Sequence, residues 1–185
     1  MRRVIGTVAV LVGMLALSGC GGGDPLPTLP PSPSSTPVFA SEEDALAAAT
    51  DAYEAYLEMS DLIASEGGVE PERIEDVATR DLLDAALSGY ETLRDNAWRT
   101  SGETSIVGTQ LQFAALSGTT GEDVVAAYIC VDYANVDVLD SSGTSVVSPD
   151  RPDIQAFEVF FDLVDGHLVG SSLEPWDNQI CATLS

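Results

Sequence analysis

Between Ser41 and Gly102 the apolar residues recur every three or four positions, and from Ser105 onward they alternate. Helical spacing needs one buried stripe, whereas alternation needs one buried sheet face. Leu46, Ala49, Tyr53 and Ile63 define a first helix. Ser41 stands as its N-cap, with Glu42, Glu43 and Asp44 in its first turn. Gly67-Gly68 ends it. Pro71 opens a short second helix, and a third runs from about Arg80 through Leu83, Leu87, Tyr90 and Trp98 to a stop at Gly102.

Strand periodicity follows. Val107, Thr109, Leu111, Phe113 and Ala115 share one parity. Asp123 to Val138 reads as one long strand, and Ser145 to Val147 as a short one. In Ile154 to Val164, Phe157, Val159, Phe161 and Leu163 point one way and Glu158 and Asp162 the other. Asp165-Gly166 signals a tight hairpin into a last strand, His167 to Leu173. Helices followed by antiparallel strands predict an α+β fold, and 185 residues suffice for one domain with a core.

The charge is lopsided: 30 acids against 7 bases, every base an Arg, for a net −23. Nucleic-acid binding needs clustered cations, so no nucleic-acid partner is expected. The same excess argues against a domain lying flat on anionic lipid.

The N-terminus has a different character. Met1-Arg2-Arg3 precedes an uncharged apolar run of fourteen residues, Val4 to Leu17. That is shorter than the roughly twenty residues of a spanning helix, and suits a signal-peptide core. Leu17-Ser18-Gly19-Cys20 then resembles the bacterial lipoprotein box. The resemblance implies cleavage after Gly19 and a diacylglyceryl thioether on Cys20. It therefore implies a protein held by lipid on the extracytoplasmic face of the cell membrane. Residues 1–19 are then the signal peptide, 20–40 the lipidated Cys plus a Pro/Gly/Ser linker, and 41–185 the folded domain. Six of the twenty residues from Gly21 to Ala40 are Pro and three are Gly, a composition that cannot bury a core.

The helix-then-strand order resembles the cone-shaped superfamily named for nuclear transport factor 2. More narrowly, it resembles small lipoproteins of GC-rich Gram-positive bacteria that carry this fold. The residues behind the likeness are the lipoprotein box, Ala78-Thr79, Tyr128-Ile129-Cys130-Val131-Asp132, Gly143, Phe157 to Phe161, Gly166, Trp176 and Cys181. The likeness spans about residues 41–185. It implies three N-terminal helices packed on a strongly bent antiparallel sheet.

With Cys20 acylated, Cys130 and Cys181 remain in an exported compartment, where a disulfide is expected. It would close a span of 51 residues and contribute about 4 kcal/mol in the chain-entropy picture. A redox or metal pair is the competing reading, but there is no C-x-x-C. His167, the one histidine, reads as a solvent-facing strand start. The alternative is a general base working with Asp132 or Asp162. Asp132 is expected near a sheet edge or hydrogen-bonded to a backbone or hydroxyl group.

Arg73, Arg80, Arg94 and Arg99 are expected to pair with neighbouring helix acids such as Glu91 or Asp95. The aromatic set Tyr53, Tyr56, Tyr90, Trp98, Phe113, Phe157, Phe160 and Phe161 reads as core, with a ligand pocket as the alternative. Asp140-Ser141-Ser142-Gly143 lacks the ligand pattern of a calcium loop. No nucleotide loop and no G-x-S-x-G occurs, and no cofactor or metal is expected.

The resulting expectation is a non-enzymatic binding or accessory module, with an envelope protein or small apolar ligand as partner. The rival is a cone-fold enzyme of isomerase or dehydratase type, with acid/base residues inside. A third possibility is a side-chain-filled cone whose outer sheet face pairs with a partner or second copy.

Overall fold

The computed structural model describes residues 38–116 and 121–184. The expected signal peptide, Cys20 and the expected linker up to residue 37 lie outside the described residues, as do positions 117–120 of the expected Ser117–Gly121 turn. Among the described residues, no helix is long and apolar enough to cross a membrane.

The fold is α+β. Helix α1 spans Glu42–Ser65; a 3-10 turn, Pro71–Asp76, leads to α2, Arg80–Asn96. Strands β1 (Arg99–Ser101), β2 (Ser105–Ala114), β3 (Val125–Asp132), β4 (Asp137–Leu139), β5 (Ile154–Val164) and β6 (His167–Pro175) follow. A 3-10 turn, Asn178–Ile180, and one helical turn, α3 (Cys181–Leu184), complete it. The helical half therefore holds two α-helices and a 3-10 turn rather than three helices, and a terminal helical turn follows the sheet.

The Ser41 side chain accepts the Asp44 N–H at 3.1 Å, capping α1 as its sequence predicts. At the other end the Gly68 N–H returns to the Ile63 carbonyl at 2.8 Å. Helix α2 stops earlier than expected. Ala97 adopts a left-handed conformation (φ 53°) and the Trp98 N–H closes on Leu93 O at 2.9 Å. The chain then extends into β1, which alternation over three residues is too brief to reveal.

Strands β2-β3-β5-β6 form an antiparallel sheet in that order, and β1 pairs with β4 in a separate ribbon. The long strand expected over Asp123 to Val138 is broken. Asp132 ends β3, its carboxylate accepting the Ala134 N–H at 2.7 Å, and a turn through Tyr133–Val136 redirects the chain to β4. A short acidic side chain competes with the sheet ladder for backbone N–H groups in this way. Asp132 thus has the backbone partner expected of it. The expected Ser145–Val147 strand is reduced to an isolated bridge, Leu139 to Ser145. The Asp140 carboxylate takes over there, accepting from Ser142 Oγ and from the Ser142 and Thr144 N–H groups. The Ser142 hydroxyl, and then the Thr144 N–H, hold Asp140 below the usual carboxylate range.

Ala45, Ala49, Tyr53 and Leu57 of α1 pack on Val125, Ala127, Ile129 and Val131 of β3 and on Val159 and Phe161 of β5. That defines the inner sheet face. A second cluster joins Ile63 to Ile74, Leu82 and Tyr90, seating α2 and the first 3-10 turn. The outer face carries the other parity: Tyr128 and Cys130 of β3, Ala156, Glu158 and Asp162 of β5. Cys130 and Cys181 are disulfide-bonded, with Cα atoms 5.7 Å apart, which ties the terminal turn to this outer face. Gly108 makes the approach possible, since a Cβ there would stand 2.8 Å from Leu184 Cβ.

Candidate functional site

Helix α1 and the segment from Gly102 to Ile106 enclose a cleft of about 810 Å³. Glu54, Glu58 and Asp61 fall on one helix face at spacings of four and three, interleaved with Leu57 and Leu62. Glu103, Thr104 and Ile106 form the opposite wall. The Thr104 N–H and hydroxyl both donate to Asp61 Oδ2, at 2.7 and 2.8 Å. One carboxylate thereby fixes the wall to the helix. Glu54, Glu58 and Glu103 are exposed, Leu57 is buried, and Leu62 is 47% exposed. The cleft thus has an acidic rim around apolar side chains, and among the described residues no Arg lines it.

Helix α1 also carries Tyr53 and Tyr56. Tyr53 and Tyr56 stack with ring centroids 5.5 Å apart, and Tyr90 OH donates to Ser60 Oγ at 3.1 Å. Burial pushes the hydroxyls of Tyr53 and Tyr56 well above the ordinary tyrosine value, and that of Tyr133 up to about 12. Tyr53, Tyr90 and Phe161 are core, as read from the helical and strand spacing. Phe113, 50% exposed, is not.

Two carboxylates lie where alternation predicted solvent and the structure buries them: Glu158 is 8% and Asp162 5% exposed. Alternation reports only which residues share a face, and here the outer face is covered too. Asp162 accepts the Asp123 N–H at 2.8 Å and faces Arg80 Nε at 3.2 Å. Arg80 also meets Asp123 and Glu122, and donates to Ser171 Oγ at 3.0 Å. So Arg80 staples the start of α2 to the sheet instead of pairing along its own helix. Arg94 likewise donates to the Gly68 carbonyl at 2.7 Å, and Arg151 to the Tyr133 and Val136 carbonyls. Arg73 does pair with an acid, Glu66 of the preceding helix end.

His167 is exposed at the start of β6, opposite Val164, beside clefts of about 580 and 340 Å³. Asp132 sits opposite Ile154, at the far end of β5. Asp162 lies two residues from Val164, but its oxygens are engaged by Arg80 and the Asp123 N–H. The structure therefore does not assemble an acid/base pair from His167 and either aspartate. Among the described residues no group of His, Cys, Asp and Glu suits a metal ion.

No family model matches the chain, and no curated protein matches it. Among solved structures it is similar to the intermembrane space region of the chloroplast protein ARC6. The TM-score is 0.50 at 8% identity, over 70% of this chain and 95% of that one. At that identity the likeness concerns the fold alone: an α+β arrangement of helices on a mainly antiparallel sheet.

Proposed function

We propose that this chain is a lipid-anchored, extracytoplasmic binding module. Cys20 carries the lipid, residues 20–40 are the tether, and residues 41–185 form a cone-like domain of the kind named for nuclear transport factor 2. Register shifts within β2 and between β5 and β6 support a bent sheet, because bulges curve the strands that carry them. The module docks a basic, partly apolar segment of an envelope protein. The observation behind this reading is the α1 cleft, where exposed Glu54, Glu58 and Glu103 line the same space as the apolar Leu57, Leu62 and Ile106. Opposite charge steers such a segment in, and apolar contact holds it.

The test is titration of the full-length protein, purified in detergent, with a synthetic peptide of alternating Arg and Leu. A peptide of alternating Glu and Leu is the control. Binding of the basic peptide alone is expected. It should weaken as salt rises and fall about tenfold in the triple variant Glu54→Gln/Glu58→Gln/Glu103→Gln. Equal binding of both peptides, or full affinity in the triple variant, would overturn the reading.

A further inference from the structure

The outer sheet face holds a second constellation, on the side of the sheet away from α1. Glu158 of β5 is directly opposite Tyr128 of β3 on one side and Glu174 of β6 on the other. Two carboxylates facing each other across a strand pair repel, and such placements lower stability. Glu158 is also buried. Among the described residues the ion pairs belong to Arg73 and Arg80, and neither reaches Glu158 or Glu174.

What sits over Glu158 is an amide. β2 carries a register shift between Leu111 and Phe113, which leaves Gln112 as the extra residue. Bulges of this kind re-aim a side chain out of the strand's alternation. Gln112 Nε2 donates to Glu158 Oε1 and lies 3.0 Å from Tyr128 OH. Gln112 is itself exposed, so its amide can yield its place to another N–H donor. Trp176 flanks the site, with its ring centroid 4.9 Å from that of Tyr128 and 42% of its surface open.

Two carboxylates with no cation paired to them among the described residues, beside the Tyr128–Trp176 ring pair, suit an organic cation. An organic cation satisfies the carboxylates with its charge and the ring faces with its apolar or planar body. We propose that Glu158, Glu174, Tyr128 and Trp176 form a binding site for an alkylammonium or guanidinium group, with Gln112 occupying the donor position until the ligand arrives. The site is separate from the α1 cleft and does not depend on it.

The experiment uses the full-length protein in detergent with Trp98→Phe, so that Trp176 is the one fluorescent indole. Tetramethylammonium and butylguanidinium chlorides are titrated against sodium chloride at equal ionic strength and against N-acetylglucosamine. Saturable change in Trp176 fluorescence with both organic cations is expected. The apparent affinity should fall about tenfold in Glu158→Gln and in Glu174→Gln, and should be unchanged in Glu91→Gln, an exposed α2 residue outside both sites. Because Glu174 is exposed, its variant keeps the test decisive if Glu158→Gln fails to fold. An equal response to sodium chloride, undiminished affinity in Glu174→Gln, or saturation by N-acetylglucosamine alone would overturn the proposal.

Discussion

Tyr53, Tyr56 and Tyr133 are neutral groups in surroundings that resist their ionisation, and that resistance has a consequence at high pH. Their folded-state pKa values lie above the value of about 10 for an exposed tyrosine, chiefly through burial. A raised pKa contributes stability that is complete below the unfolded value and disappears as pH climbs through the folded one. The domain should therefore hold its fold to about pH 10 and lose stability steeply from there toward 12, the value reached by Tyr133. Tyrosinate absorbance and circular dichroism, followed together, should change in one transition. Gradual ionisation of all five tyrosines near pH 10, with the fold intact, would contradict that. Asp162 shows the opposite solution to a buried ionisable group: it keeps a cation, Arg80, against it.

The terminal turn is the element whose role is easiest to isolate. Besides the disulfide, it is held by Asn178 Oδ1 accepting the Ala156 N–H at 2.7 Å and by Leu184 lying against Gly108. The double variant Cys130→Ser/Cys181→Ser should lose about 2–4 kcal/mol in urea unfolding. An unchanged midpoint would mean that the non-covalent contacts alone keep the tail in place. Other elements differ in how far periodicity reveals them. α1, β5 and the β5–β6 hairpin are long or carry strong local signals, and their ends match: Ser41 caps, Gly67-Gly68 stops, and Asp165-Gly166 turns with φ of 50° and 87°. The β1–β4 ribbon has three residues per strand, too few for a period to register, and it depends on pairing across 35 or more positions of sequence. The α1 cleft was equally hidden. Glu54, Glu58 and Asp61 look like an ordinary solvated helix face until Thr104 is seen bonded to Asp61. Glu158 departs from the exposure its alternation predicts, and for a different reason: what covers the outer face arrives from Gln112, at a bulge that alternation does not anticipate, and from the tail.

For the molecule as a whole, the proposed attachment at Cys20 is open to a direct test. Cys20→Ala should shift the protein from the membrane fraction to the soluble one or leave the precursor unprocessed. Intact mass of the wild-type protein should show an acylated N-terminal Cys20. A mature N-terminus elsewhere, or one without lipid mass, would refute it. The position of Cys181 also sets an order of events. It follows every strand of the domain, and its partner Cys130 lies at 0% exposure in mid-sheet. In the proposed secretion, the Cys130 thiol would cross the membrane 51 residues ahead of its mate Cys181. The chain's other cysteine, Cys20, would be the rival for a wrong bridge in that interval. An acyl group placed on Cys20 before translocation ends would remove that rival, so the anchor would also serve as the protecting group that leaves Cys181 as Cys130's one available mate.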